Sequence, residues 1–236
     1  MGREKIFRFK QFEVANDRSA MKVGTDGVLL GAWCLVDGAQ HALDVGTGCG
    51  VIALMIAQRN ASAIIDAIDI DRAAIEEASL NFSHSPWKER LTATLADFNN
   101  WNGRDRYDLI VSNPPYFSDS LLPPDASRTI ARHTQSLTYR QLIEGAARLL
   151  SEEGTLCLIS PTNVEGDIIE AATFSSLPVR QLTRVIPVEG TEPKRSMWLL
   201  SRRAMPYQDG TLTIAHTDGS FTQEYISLTG AFYLKM

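Results

Sequence analysis

Residues 41–58 read HALDVGTGCGVIALMIAQ, and this stretch decides the fold. Its first part, His41–Val45, is short and mostly apolar, which is typical of a buried strand. Three glycines then follow at every second position from Gly46, and residues 51–58 have the apolar composition of a helix. A strand, a glycine turn and a helix in this order open a nucleotide-cofactor fold. The stretch therefore predicts an α/β protein with a cofactor at the glycine turn.

The spacing of the glycines favours one cofactor over another. Dinucleotide sites use GxGxxG, which places a pyrophosphate at a helix N-terminus. This chain has GxGxG preceded by Asp44, and a carboxylate there would repel a phosphate and attract an ammonium group. The pattern favours S-adenosylmethionine, whose methionine tail carries such a group. Asp69 ends the next predicted strand 21 residues after Gly48, where an acidic residue typically accepts from both hydroxyls of a ribose. Asp71 is interpreted instead as a helix N-cap.

A second motif, Asn113-Pro114-Pro115-Tyr116, follows the apolar run at 107–112. The prolines donate no hydrogen bond and fix φ, so they end the predicted strand in a rigid, extended turn. The Asn113 amide and the Pro114 carbonyl can both accept, which suits a planar amino group with two hydrogens. Tyr116 would add a flat surface for stacking. We predict that Asn113, Pro114 and Tyr116 are the catalytic residues.

A third strand at 91–95 ends in Ala96-Asp97-Phe98, which leaves two interpretations open. The carboxylate could accept from an adenine amino group while the ring covers the base. Alternatively, Asp97 is a cap and Phe98 a core residue.

The remaining pattern predicts a chain of one domain. A strand at 6–14 comes first, and a loop at 22–27 leads into a short apolar helix. In the plain alternative for that loop, Thr25 or Asp26 is the helix cap. Further elements are predicted in this order: an irregular stretch at 117–136, a helix at 138–150, a strand at 154–160, a weaker helix at 164–174, paired strands at 179–188 and 196–201, and strand-like pieces at 211–215 and 232–234. The predicted single domain, 1–236, divides into an N-terminal extension (1–36), a catalytic core (37–203) and a C-terminal extension (204–236).

Composition sets the remaining bounds. The chain is 44% hydrophobic and 22% charged, as in ordinary soluble proteins. It shows neither an apolar leader nor a membrane-length run, and its three cysteines lie far apart without metal or disulfide spacing. We therefore expect a cytoplasmic protein with no membrane contact and no metal; its oligomeric state stays open, with a monomer as the default. The net charge of −5 does not suggest a nucleic-acid binder, so RNA binding would need a local basic patch.

These motifs together resemble the class I S-adenosylmethionine-dependent methyltransferases. Residues 44–50 match the first motif of that class, Asp69 the ribose acid, and residues 96–98 the adenine contact. NPPY matches enzymes that methylate exocyclic or amide nitrogens. The resemblance implies a Rossmann-like, mostly parallel sheet of seven strands, with helices on both faces and an antiparallel C-terminal hairpin.

Within the class, the whole chain resembles the bacterial tRNA1(Val) (adenine(37)-N6)-methyltransferase family. The resemblance is carried by FRFKQFEV (7–14), MKVGTDGVLLGAW (21–33), ARHTQSLTYRQLI (131–143) and AFYLK (231–235). It implies tRNA as partner and an adenine beside the anticodon as substrate. The expected cofactor-binding residues are Lys22, Thr25, Asp44, Gly46, Gly48, Asp69, Ile70, Asp97, Phe98 and Asn113. The expected RNA-binding residues are Arg132, His133, Lys194 and Arg195.

Three alternatives remain. NPPY also serves planar amides, so the acceptor could be a release-factor glutamine or a ribosomal-RNA guanine. Only 43 residues precede Asp44, too few for a sizeable N-terminal recognition domain, which disfavours the release factor. A non-catalytic RNA-binding protein of the same fold is disfavoured by the intact acidic residues and Asn113. An NAD(P) oxidoreductase is disfavoured by the glycine spacing.

Overall fold

The computed structural model describes residues 6–19, 22–103, 106–115 and 137–235. Three of the expected site residues, Tyr116, Arg132 and His133, lie outside these ranges. The strands are β1 (Ile6–Arg8), β2 (Glu13–Ala15), β3 (His41–Val45), β4 (Ile64–Asp69), β5 (Leu91–Leu95), β6 (Tyr107–Ser112), β7 (Leu150–Pro161), β8 (Val179–Val188), β9 (Arg195–Ser201) and β10 (Gln208–Ala215). The helices are α1 (Thr25–Trp33), α2 (Val51–Arg59), α3 (Arg72–His84), α4 (Tyr139–Leu149), α5 (Glu165–Phe174) and α6 (Gln223–Thr229).

One large sheet of eight strands organises the described part of the chain, in the order β10-β8-β9-β7-β6-β3-β4-β5. Neighbours from β7 through β5 are parallel, whereas β9 is antiparallel to both β7 and β8. The strand order reverses between β3 and β6, and open α/β sheets bind their ligands at such a point. The Rossmann-like fold and the antiparallel C-terminal hairpin are therefore confirmed.

Helices cover both faces of the sheet, because its central strands are apolar on both sides. Along β6, Leu109 and Val111 belong to one buried cluster and Ile110 to the other. The first cluster also contains the apolar residues of α1 and α2, and the second contains those of α4 and α5. This is the near-continuous hydrophobic pattern that parallel strands require when they are buried on both faces.

The expected number of strands was wrong by one. The resemblance implied a seven-stranded sheet, but β10 adds an eighth strand, parallel to β8, with Leu212 opposite Val185. This strand comes from the segment 204–236 that we expected to be an extension outside the core. Leu212 is buried in the core cluster that includes the apolar residues of α1 and α2, so burial of apolar surface accounts for the additional pairing.

The N-terminal strand predicted at 6–14 is in fact a two-stranded hairpin, β1 and β2. The Phe9 amide donates to the Phe12 carbonyl at 2.9 Å, which closes a tight turn in the middle of the alternating pattern. The two phenyl rings stack with their centroids 4.6 Å apart. The strand predicted at 232–234 is reduced to one bridge between Tyr233 and Phe9, which attaches the C-terminal segment to this hairpin.

Helices α1 and α2 pack closely enough to require a glycine at their contact. A Cβ added to Gly31 would lie 2.8 Å from the Met55 sulfur and 3.1 Å from the Met55 Cβ. Met55 is fully buried, so its side chain has little space into which it could move. We therefore expect Gly31→Ala to lower the free energy of unfolding by about 1–2 kcal/mol, despite the better helix propensity of alanine.

Gly166→Ala in α5 is the matched control, because nothing lies within 4 Å of its added Cβ. It should be neutral or stabilising by up to about 1 kcal/mol. Urea unfolding of both variants measures the difference. Equal stability of the two would show that the α1–α2 contact can accommodate a methyl group.

Candidate active site

The carboxyl ends of four parallel strands meet at one edge of the sheet. Val45 at the end of β3 is paired with Ile68 on one side and Ser112 on the other. The Ser112 hydroxyl also donates to the Val45 carbonyl at 2.8 Å, which fixes the end of β6 against β3. The register therefore brings the glycine turn, Asp69 and Asn113 to the same edge, as the sequence predicted.

A cavity of about 270 Å³ lies at this edge. It is formed by the glycine turn, the start of α2, the start of α1 and the corner after β6. Its lining residues are Lys22, Gly24, Thr25, Asp26, Gly27, Gly46, Thr47, Gly48, Cys49, Val51, Ile52 and Asn113. Five of the predicted cofactor residues are thus brought together with residues that the sequence did not single out.

The wall formed by α1 carries positive potential. The helix begins at Thr25, and its N-cap Gly24 supplies no side chain, so neither Thr25 nor Asp26 is the cap. The first amide groups and the helix dipole therefore remain available for an anionic group. Lys22 adds a cation beside them, and its Nζ is held by the Ser19 carbonyl at 3.0 Å. This wall suits a carboxylate.

Two side chains of α3 hold the segment that leads to this wall. Glu77, only 1% exposed, accepts from the Asp17 and Arg18 amides at 2.8 Å and from the Ser19 amide at 3.0 Å. Asn81 forms hydrogen bonds with both backbone groups of Ala15 and donates to the Cys49 carbonyl. Helix α3 thereby fixes the N-terminal segment relative to the glycine turn.

Asp44 lies beneath the glycine turn and is completely buried. Its Oδ2 accepts from the Thr47 hydroxyl at 2.7 Å and from the Ala53 amide at 3.2 Å, so it ties the turn to the start of α2. Its Oδ1 has no hydrogen-bond partner among the described residues. Burial, opposed by the Thr47 hydroxyl, raises the pKa of this carboxyl to about 7. A direct contact with an ammonium group stays a prediction, since Asp44 does not itself line the cavity.

Asp69 shapes the turn from the other side. Its Oδ2 accepts from the Gly48 amide at 3.0 Å and its Oδ1 from the Asp71 amide at 2.9 Å. A carboxylate has about four acceptor positions, so two remain for hydroxyl groups of a ligand. Asp71 accepts from the Ala73 amide, which confirms it as the N-cap of α3.

The two interpretations of Asp97-Phe98 are resolved in favour of a cap and a core residue. Asp97 accepts from the Asn99 amide, and Phe98 is 3% exposed and packs against Gly145. Because its ring is buried in the core, Phe98 has little surface with which to cover an adenine, and an adenine contact at residues 97–98 stays a prediction. Ile70, next to Asp69 in the chain, is 55% exposed. Among the predicted cofactor residues it therefore has apolar surface that a ligand could contact.

Asn113 occupies a close-packed corner. It is half-buried, Pro114 after it is buried, and Pro115 is exposed. A Cβ added to Gly27 would lie 3.9 Å from the Asn113 amide nitrogen, which shows how near the first turn of α1 comes. The corner therefore faces the α1 wall across the cavity.

The basic residues divide into braces and candidates for RNA contact. Several of the described arginines donate to backbone carbonyls: Arg59 to Gly31 and Cys34, Arg90 to Ala57 and Ala63, Arg106 to Arg148 and Leu150, Arg180 to Ser201, and Arg202 to Ala147. Lys194 is exposed. Arg195 pairs with Asp26, its Nε 2.8 Å from Oδ2.

Sequence reasoning missed Asp26, Gly27 and Thr47 as parts of the site. Asp26 was considered only as a cap, although it lines the cavity and pairs with Arg195. The position of Thr47 between two glycines was the available signal. No pattern in the sequence indicates a pair whose members are 169 residues apart.

Neither a metal centre nor a membrane-spanning helix is present among the described residues. Within residues 6–19, 22–103, 106–115 and 137–235, no group of three or more His, Cys, Asp or Glu residues is arranged to hold a metal ion. None of the helices in that same part of the chain is long and apolar enough to cross a membrane.

The site fits S-adenosylmethionine. The first amide groups of α1 and Lys22 suit its carboxylate, and the unpartnered Oδ1 of Asp44 is the acceptor predicted for its ammonium group. Gly46 has φ +71°, and nothing lies within 4 Å of an added Cβ, so its missing side chain leaves the turn open to a ligand. Asp69 can accept from ribose hydroxyls. Fold and site together define a class I S-adenosylmethionine-dependent methyltransferase.

Comparison with known proteins identifies the family. The Methyltransferase small domain model matches residues 28–181. A tRNA1(Val) (adenine(37)-N6)-methyltransferase of Bacteroides thetaiotaomicron is 44% identical over 98% of each chain. One from Aeromonas hydrophila is 43% identical over 100% of each chain. The chain therefore belongs to the tRNA1(Val) (adenine(37)-N6)-methyltransferase family.

Solved structures support the fold. A crystal structure of a predicted O-methyltransferase from Agrobacterium tumefaciens aligns with a TM-score of 0.69. The alignment covers 88% of this chain and 96% of that one, at 20% sequence identity. At this identity the likeness establishes the shared architecture alone.

The buried carboxyl of Asp44 predicts a pH dependence of stability. Its pKa is raised from 3.8 to about 7 by burial, so the folded state holds the proton more tightly than the unfolded chain. Its contribution to the free energy of unfolding therefore falls as pH rises from about 4 to about 7 and then levels off. We expect the wild-type protein to lose roughly 2 kcal/mol more than Asp44→Asn between pH 5 and pH 7.5. Urea unfolding without cofactor at both pH values tests this, and parallel pH profiles would contradict it.

Substitution of Gly27 tests whether the first turn of α1 and Asn113 face each other across the ligand cavity. An added Cβ makes only ordinary contacts, 3.5 Å from Val51 and 3.9 Å from Asn113. Gly27→Ala should therefore keep its affinity for S-adenosylhomocysteine within about threefold, whereas the extra atoms of Gly27→Leu should fill the cavity and weaken binding at least about tenfold. Calorimetric titration measures both. Equal affinities would mean that the ligand does not occupy this gap.

Proposed function

We propose that this protein transfers a methyl group from S-adenosylmethionine to the exocyclic N6 of adenine 37 in tRNA1(Val). The observation that carries the proposal is the position of Asn113, in a rigid corner that lines the same cavity as the glycine turn and Lys22. The curated relatives, similar over nearly their full lengths, bear the name of this activity.

Asn113 and Pro114 bind and orient the amino group. The adenine nitrogen is a poor nucleophile because its lone pair delocalises into the ring. Its two hydrogens would donate to the Asn113 side-chain oxygen and to the Pro114 carbonyl, which draws the nitrogen toward tetrahedral geometry and directs the lone pair into the cavity. Bound S-adenosylmethionine supplies an electrophilic methyl group on a positively charged sulfur. After transfer, the cationic nitrogen is acidic and releases its proton to solvent, so no strong base is needed.

The cofactor is positioned by residues from three sides. We assign its carboxylate to Lys22 and the start of α1 at Thr25, and its ribose to Asp69. Asp44 maintains the turn at Gly46 and Gly48 and provides negative charge toward the ammonium group. Asp97 and the backbone of Phe98 lie on the adenine side, next to exposed Ile70. Catalysis then rests on orientation and electrostatics within the cavity.

The acceptor base must leave its stack to reach this corner. Tyr116, the residue after Pro115, is proposed to stack on the extruded base, an interaction worth roughly 1–3 kcal/mol. Arg132, His133 and Lys194 are the proposed RNA contacts, whereas Arg195, expected among them from the sequence, is held by Asp26. We place the enzyme in the cytoplasm with its tRNA substrate, as a single-domain monomer. The reaction needs no metal, because a sulfonium methyl group is already activated for transfer.

The decisive experiment uses the methyl donor with a labelled methyl group and an unmodified tRNA1(Val) transcript. Nucleoside analysis should find N6-methyladenosine, and a transcript with guanine at position 37 should remain unlabelled. Label on a release factor or on ribosomal RNA, with none on tRNA, would support the alternative acceptors. Binding of the cofactor without turnover on any RNA would support a non-catalytic role.

Asn113→Ala should reduce methyl transfer at least about a thousandfold, because removing an interaction made with the reacting group acts on the transition state. Its affinity for S-adenosylhomocysteine should stay within about threefold. Asn102→Ala is the matched control, because Asn102 is an exposed asparagine outside the cavity lining and bonds to Arg148. Near-normal transfer by Asn113→Ala would remove Asn113 from the catalytic role.

A further inference from the structure

Arg195 lies beside the corner that holds Asn113, on the side away from Asp69. In the antiparallel pairing of β7 and β9, Arg195 is opposite Pro161, at the carboxyl end of β7. Strand β7 is the neighbour of β6, whose carboxyl end leads to Asn113. The assigned ribose residue, Asp69, ends β4 on the other side of β3. Arg195 is therefore at the edge from which an acceptor would enter.

The guanidinium of Arg195 is directed back toward α1. Its Nε is 2.8 Å from Oδ2 of Asp26, and its Nη1 donates to the Lys194 carbonyl at 3.0 Å. The pair is partly shielded, with side-chain exposures of 33% for Arg195 and 25% for Asp26. Such a pair is better protected from salt than one on an open surface.

Asp26 is part of the transfer cavity. It lines the cavity together with Asn113, and a Cβ added to its neighbour Gly27 would lie 3.9 Å from the Asn113 side-chain nitrogen. An ion pair from β9 to Asp26 therefore attaches the first turn of α1 to the acceptor side of the sheet. The gap between this turn and Asn113 is where donor and acceptor must meet under the proposed function.

Tyr139, the first residue of α4, adds an unoccupied hydroxyl in this region. Its hydroxyl oxygen is buried and has no hydrogen-bond partner among the described residues. Burial raises the pKa of this hydroxyl, and the positive charge of Arg195 opposes the shift. Arg195 therefore lies close enough to the start of α4 for its charge to act on this hydroxyl, while its side chain is paired with α1.

We propose that the Asp26–Arg195 ion pair is a positioning element that sets the spacing between the α1 wall and the Asn113 corner. Arg195 then serves the orientation of the acceptor amino group, and not chiefly the capture of an RNA phosphate. This inference rests on the proposed function. The Lys22 side of the cavity is held separately by Glu77 and Asn81, so loss of the pair should affect cofactor binding much less than it affects kcat.

The test is a double-mutant cycle with Asp26→Asn, Arg195→Gln and the combined variant, assayed on tRNA1(Val) transcript at saturating cofactor. Each single variant should lower kcat about tenfold to a hundredfold with KM for tRNA within about threefold, because small misplacements of reacting groups are costly. The combined variant should be no slower than the slower single variant. Arg195→Lys should retain more activity than Arg195→Gln, since it keeps the charge but not the planar donor.

Two controls keep the result specific. Arg184→Gln removes ion pairs of comparable length, to Glu165 at 2.8 Å and to Asp209 at 3.0 Å, from the same hairpin but outside the cavity lining, and should leave kcat unchanged. Calorimetric titration with S-adenosylhomocysteine should give affinities within about threefold of wild type for all variants, which also shows that they are folded.

The outcomes separate the possibilities. If Arg195 is a phosphate anchor, Arg195→Gln raises KM for tRNA and lowers the slope of log affinity against log salt concentration by about one. Asp26→Asn then keeps the wild-type kcat. That result overturns the inference. Additive losses in the combined variant overturn it as well. A wild-type protein that does not methylate tRNA overturns the proposed function and this inference together, whereas unchanged kcat in variants of an active enzyme overturns this inference alone.

Discussion

The alignment of β3 with β6 is the constraint on which the site depends. Their register, reinforced by the hydrogen bond from Ser112 to the Val45 carbonyl, places the glycine turn and Asn113 at one edge of the sheet. A one-residue shift of the register would move Asn113 about 3.3 Å along the strand axis relative to the glycine turn, and it would turn the side chains to the opposite face. Since methyl transfer requires reacting atoms nearly in contact, the chemistry depends on this backbone pairing before any side chain acts.

The second layer of organisation is the attachment of the N-terminal segment. Chain segments before a Rossmann-like core have no sheet partner within it, so their position must come from side chains. Glu77 satisfies three backbone amides of that segment, and Asn81 connects it to the glycine turn. Both residues are almost fully buried, so the connection is protected from competing water. Helix α3 thus fixes the N-terminal segment and the glycine turn, which form two walls of the cofactor cavity, relative to each other.

The sequence was most informative where the signal is local. The strand, glycine turn and helix at 41–58, the N-cap Asp71 and the corner at Asn113 each follow from residues that are adjacent along the chain. Contacts between distant segments could not be predicted from local sequence. The addition of β10 beside β8 depends on burial across the sheet, and the Asp26–Arg195 pair joins residues far apart in the chain. Phe98 shows a third limit, because an aromatic ring beside a cap can pack into the core or face a ligand with the same local pattern. The turn between Phe9 and Phe12 was hidden by an alternation that continues through it.

The use of arginines as internal braces has a kinetic consequence. Guanidinium groups such as those of Arg59 and Arg90 are committed to backbone carbonyls, and the chain as a whole carries a net charge of −5. The net charge therefore provides no broad positive field that would steer a polyanion from a distance, so attraction of a nucleic acid would depend on a local basic patch.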